Sequence, residues 1–218
     1  QPETHASTLR GETPARISLL RPAFELLRSG SFRWLMLQVG LLYCAYPAFV
    51  ATAPHLMVDV FHRPPQEFAL YFACLPAGYL LGNLYVMRVA RGLTPHQLVM
   101  RGSRIASIAC LVSVALLVAG LWHPLSMFLP AGLVLNGGLG LALPAVSVRA
   151  VLSAGNQVGT AWGLLGFSQQ LQAALAVQAL ALFPASSPFP TLGLCLIVVV
   201  AAILIQSRSS AGEVHTAR

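Results

Sequence analysis

Lysine is absent from this sequence, and acids are scarce: six Asp and Glu stand against thirteen basic residues, every one an arginine. Only 9% of the 218 residues are charged and 56% are hydrophobic, whereas a soluble domain keeps roughly a quarter of its residues charged. So little charge cannot cover a surface that faces water, which excludes an ordinary soluble domain. The cysteines also lack paired spacing. Cys44, Cys74, Cys110 and Cys195 each lie inside an apolar run, which excludes a disulfide frame and a zinc knuckle and leaves small buried hydrophobes. No cleavable signal peptide is visible, because the N-terminal stretch is polar and the first apolar run is too long for one. The chain begins at Gln1 without an initiator methionine, which predicts a missing upstream segment.

Apolar runs dominate what is present. A bilayer core takes about 20 apolar residues of helix, and lipid offers the backbone no partners, so each such run is predicted helical. Six runs qualify: Trp34 to Val60, Phe68 to Met87, Ile105 to Trp122, Leu125 to Ser147, Val158 to Phe183 and Thr191 to Ile205. The expected fold is therefore an all-α integral membrane protein of six transmembrane helices. Residues 1–33 form a cytoplasmic linker, 34–205 the bundle and 206–218 a cytoplasmic tail. Within the linker, Ile17, Leu20, Phe24 and Leu27 recur at helical spacing with Arg21 and Glu25 one turn apart. That pattern fits a short amphipathic helix on the membrane surface or a disordered linker.

The stretch RVARGLTPHQLVMRGSR, residues 88–104, carries four arginines, no acid and a helix-breaking Thr-Pro. Five arginines precede the first span, Arg149 follows the fourth and two lie in the tail, which leaves only Arg63 for the other side. Positive charge gathers on the cytoplasmic face, so both termini and this loop are expected there, beside anionic lipid headgroups. Nucleic acid is not an expected partner, because no soluble domain surrounds the cluster and no aromatics are interleaved for stacking.

Polar groups inside hydrocarbon are costly unless a helix or water meets them, so they mark faces turned from lipid. In the first span Gln38, Ala45, Thr52, His55 and Asp59 fall on one side of the helix. Either a contact with a neighbouring span or a water-filled path explains such a stripe. His55 and Asp59, one turn apart, could carry protons or simply sit in headgroup water at the outer mouth. With His62 they give a His-x3-Asp-x2-His face, but the Pro64-Pro65 end and solvated position argue against a metal. No cofactor is expected.

The fourth span carries Gly132, Asn136, Gly140 and Pro144 every fourth residue. The second has Gly78 and Gly82, and the fifth Gly159 and Gly163, each pair in a G-x-x-x-G close-packing motif. The third and sixth spans are almost wholly aliphatic. Spans one to three and four to six thus read as an internal repeat of polar, small-faced and aliphatic helices.

Four stretches carry a family resemblance: PET at 2–4, ATAPHLMVDVFHRPPQEFALYFA at 51–73, GNLYVMRVARG at 82–92 and GLGLALPAVSVRAVLSAGNQVGTAWGLLGFSQQ at 138–170. The last contains Gly159-Thr160-Ala161 and Gln169. With these residues the chain resembles the C-terminal six-helix half of a major facilitator superfamily transporter, within it the Bcr/CflA type of drug resistance exporter. Trp162, Ala53, and Val86 with Met87 depart from that family's pattern. The resemblance implies twelve spans in two halves around a cavity, alternating access and proton-driven transport. The first and fourth helices of each half would line the cavity, and the second and fifth would meet the other half. The usual proton-carrying acid would lie in that other half rather than at His55 or Asp59.

The function expected is therefore half of a secondary active exporter of small amphipathic molecules in the bacterial inner membrane. Protons and a second six-helix half are the expected partners, and Gln38, Tyr46, Thr52, Asn136, Gln169 and Gln170 supply polar contacts along the path. An uptake permease of the same superfamily is the alternative. A six-span serine protease is disfavoured, because GFSQ and LSAG lack the Gly-x-Ser-Gly pattern.

Overall fold

A computed structural model describes residues 16–89, 92–184 and 187–216. The PET stretch at 2–4, together with Arg10, Arg91 and Arg218 of the arginine distribution, lies outside the described residues.

Backbone in lipid must close its hydrogen bonds within the segment, and every element among the described residues is helical. In order these are α1 (Arg16–Arg28), α2 (Gly30–His55) running into a π-helical turn (Leu56–Val60), α3 (Pro65–Phe72), α4 (Cys74–Val89) and α5 (Pro95–Val118). There follow α6 (Pro124–Met127), a π-helical stretch (Phe128–Val134), α7 (Leu135–Leu152), α8 (Val158–Leu180) and α9 (Phe189–Thr216). Among the described residues, five stretches are long and apolar enough to cross a bilayer: Gly30–Val60, Gln66–Arg88, Pro95–Val118, Pro124–Leu152 and Phe189–Ser207. The chain is a multi-pass, membrane-embedded helical protein. The remaining expected span is α8, a helix of 23 residues whose apolar content is diluted by Gln169, Gln170, Gln172 and Gln178.

Local chemistry sets the ends. The Thr-Pro taken from the sequence as a breaker instead starts α5: the Thr94 hydroxyl accepts from the Gln97 backbone N–H, the Gln97 side chain accepts from the Thr94 N–H, and Pro95 fills the first turn. Arg101 and Arg104 consequently ride on a helix, not in a loop. Pro54 and Pro130 lie beside or within the π-helical segments, since a proline removes one backbone donor and crowds the carbonyl a turn behind it. His62 adopts φ 51°, a left-handed turn that reverses the chain before Pro65 begins α3.

The packing pattern is reciprocal. With α2, α4, α5, α7, α8 and α9 numbered as expected spans one to six, α2 packs on α8 and α9, while α7 packs on α4 and α5. The contacts α2 with α7 and α5 with α9 join the two sets. The leading helix of each triplet thus packs on the second and third helices of the other triplet, and exchanging the triplets maps these contacts onto themselves. Glycines permit the closest approaches: a Cβ at Gly78 or Gly82 would overlap the carbonyl of Leu133 or Gly137, and one at Gly102 that of Gly138.

Two interior clusters hold the bundle. One runs through Val39, Leu42, Cys110, Leu135, Val146 and Val199. The other surrounds Phe128, whose ring meets Phe49 edge-on at 5.5 Å and lies 5.5 Å from Tyr71. At one end of the bundle, Leu26 of α1 is buried with Phe32, Ala154 and Ala161. Glu25 accepts from Arg21 Nε and from Gln157 Nε2, each at 3.1 Å, so α1 is docked on the turn before α8.

Candidate functional site

A cavity of about 300 Å³ opens between α2, α4 and α7, lined by Tyr43, Tyr46, Pro76, Tyr79, Asn136 and Leu139 among others. α2 supplies its walls through Leu42, Tyr43 and Tyr46, α4 through Pro76 and Tyr79, and α7 through Asn136, Leu139 and Leu143. Gly78 and Gly82 bring α4 against α7, which sets Tyr79 beside them. Asn136 is only 1% exposed, and its Nδ2 donates to the Gly132 carbonyl at 2.6 Å. A carbonyl can only accept, so this bond fixes the amide orientation. The other amide atom, Oδ1, is buried and has no partner; leaving such an acceptor unmet costs about 1–3 kcal/mol. None of the tyrosine hydroxyls serves it. Leu42, Leu139 and Leu143 complete the lining with aliphatic side chains.

The polar stripe of α2 lies elsewhere and turns to α9. Gln38 is 1% exposed and donates through Nε2 to Ala202 O and to Gln206 Oε1, each at 3.0 Å. The Cys195 thiol points to Ala45 O at 3.5 Å. Thr191 donates to Thr52 Oγ1 at 3.0 Å. Arg149 of α7 joins at Gln206 Oε1, 3.1 Å away, so three helices share one polar knot. Gln38 thus forms a helix contact, the first of the two explanations the stripe allowed, whereas Thr52 accepts from Thr191 and also borders a cavity.

His55 and Asp59 line a second cavity, of about 310 Å³, with Pro54, Val58 and Phe68. His55 also borders a third, of about 240 Å³, beside Thr52, Ser187 and Thr191. Both side chains are exposed, and no ion pair joins them. Residues 56–60 wind as a π-helix, so the α-helical phase assumed for a pairing four residues apart does not hold there.

The structure does not bring Gln169 or Gln170 to the tyrosine cavity. Both sit on α8, Gln169 half-buried and Gln170 exposed. Gly159, Gly163 and Gly166 of the same helix have open space where a Cβ would go, unlike the α4 glycines. Ser168 contacts Met36 O at 3.5 Å and accepts from Gln172 Nε2 at 2.8 Å. Gln172 was not among the expected site residues, nor were Tyr43 and Tyr79. A tyrosine in mid-span, away from the headgroup belt where its hydroxyl is normally wetted, was the available signal.

No family model matches the chain, and no curated protein matches it.

Proposed function

We propose that this chain is one six-helix body of a secondary active transporter that exports small amphipathic molecules by alternating access, coupled to protons, in a bacterial inner membrane. The observation that carries the reading is the tyrosine-lined cavity between α2, α4 and α7, set inside a membrane bundle. The reciprocal packing of the two triplets supports α8 as a sixth span and a resemblance to the C-terminal half of a major facilitator fold. The arginine distribution supports cytoplasmic termini.

The second body belongs on the open face of α8. Gly159, Gly163 and Gly166 meet nothing there and Gln170 is exposed; such a face is poorly suited to lipid and well suited to a close-packed helix. The engagement of Ser168 by Gln172 supports transport over proteolysis.

The test is dye accumulation in cells that express the full gene. Expression should lower ethidium accumulation, and an uncoupler should restore it. Unchanged accumulation after uncoupling would sink the proton-coupled version, and dye uptake that expression enhances would favour a permease over an exporter.

A further inference from the structure

We propose that the outer face of α1 docks on anionic phospholipid headgroups, with Arg21 and Arg28 drawn to their phosphates and Phe24 set at the boundary with the acyl chains. The inference needs only a membrane-embedded chain and stands apart from the transport reading.

The depth of α1 comes first. α1 ends at Ser29, whose extended backbone (φ −69°, ψ 115°) turns the chain and whose hydroxyl accepts from the Phe32 N–H at the start of α2. Trp34, 51% exposed, stands in the first turns of α2, and tryptophans of spanning helices gather at headgroup level. At about 1.5 Å per residue, Ser29 lies within about 8 Å of that level, and each headgroup layer is itself about 5–7 Å thick. Leu26 packs with Phe32, Ala154 and Ala161, so α1 lies against the first turns of α2 and α8 at the same depth.

The two faces of α1 then have different surroundings. Arg21, Phe24 and Arg28 fall within about 60° of one another around the helix, and Leu26 is about 140° or more away. Leu26 is buried, Phe24 is 63% exposed and Arg28 is exposed. The face turned from the bundle at headgroup depth is thus an aromatic between two guanidinium groups, the composition of an interfacial helix. Arg21 spends its Nε–H on Glu25, yet its side chain stays 84% exposed, which leaves its other donors for a phosphate. Glu25, the one acid of α1, accepts from Arg21 and Gln157 and so adds no free negative charge to this face. Arg33, exposed at the start of α2, extends the positive surface. An acidic protein segment would carry the same charge, but the depth of α1 favours lipid.

The test places the full chain, with any bundle that accompanies it, in nanodiscs of phosphatidylcholine alone or mixed with phosphatidylglycerol, and follows amide hydrogen exchange in α1. Each arginine at an anionic surface is worth about a fivefold change, so α1 should exchange about tenfold or more slowly in the anionic discs. Arg21→Gln with Arg28→Gln should erase that difference, whereas Arg21→Lys with Arg28→Lys should keep it. Unchanged exchange in α7 shows that a variant has folded. Should the glutamine pair fail that check, Phe24→Trp decides: the emission it adds over the native protein should be quenched by brominated phosphatidylglycerol. Equal exchange in both lipids, a difference that survives the glutamine pair, or an added tryptophan that brominated lipid does not quench overturns the proposal. Slow exchange in both lipids with an unquenched tryptophan would mean that another protein covers α1 instead.

Discussion

Gly102 of α5 and Gly138 of α7 meet backbone to backbone, such that a Cβ on either would overlap the carbonyl oxygen of the other. The contact has no flexible side chain to give way. Gly102→Ala or Gly138→Ala should therefore destabilise the bundle by about 1–3 kcal/mol, read as a lowered unfolding midpoint in detergent. Gly163→Ala is the contrast: its Cβ would enter open space, and alanine is the better helix former by up to about 1 kcal/mol. It should leave the isolated chain unharmed or slightly more stable. A loss of stability at Gly163 equal to that at Gly102 would show that α8 is packed on a face drawn here as open.

Gln38 ties α2 to α9 through Ala202 O and Gln206 Oε1. Interhelical hydrogen bonds within membranes contribute little each, so Gln38→Leu should cost about 1 kcal/mol, although Gln38 is fully buried. A cost of several kcal/mol would mean that the knot with Arg149 acts as a cooperative unit, which a double-mutant cycle with Arg149→Leu would reveal as coupling.

Much of this was legible in the sequence, and the reasons for the rest are physical. Span existence follows from apolar length, which is why the runs around Val39, Cys110 and Val199 all became helices. The side of α2 that avoids lipid was visible in Gln38 and Thr52. What covers it was not, because polarity reports only that lipid is excluded and does not say whether water or another helix takes its place. Thr94-Pro95 reads as a break or as a start depending on whether the residue three positions on can reach back, and Gln97 does. Tyr43 was missed because it projects about 140° around α2 from Gln38, outside the stripe being followed. The G-x-x-x-G motifs of α4 and α8 look alike on paper; only the placement of α7 against α4 separates them.

Phe128 anchors the second cluster, fully buried and edge-on to Phe49 with an interplanar angle of 89°. Phe128→Ala should cost about 3–5 kcal/mol, and Phe128→Leu, which keeps most of the volume, well under half of that. Unfolding curves in denaturing detergent would show it. Near-equal losses for the two variants would indicate that ring geometry outweighs volume at this position.

Thiol chemistry distinguishes the two sides of α2. The native Cys44, Cys110 and Cys195 are buried and Cys74 is partly exposed, so a membrane-permeant maleimide should modify Cys74 first and the others only on unfolding. On a background with Cys74 replaced by serine, Tyr46→Cys would place a thiol in the cavity wall, and Gln38→Cys would place one against α9. The first, at a half-buried position, should react with a small methanethiosulfonate. The second should stay unreactive in the folded protein, because Ala202 and Gln206 cover it. Both rates matter to the transport reading: a cavity that molecules pass through must admit a reagent of their size, while the seam that holds α2 to α9 must not open in step with it. Reaction at position 38 as fast as at 46 would mean that α9 peels away from α2 and that the wet path follows the polar stripe after all.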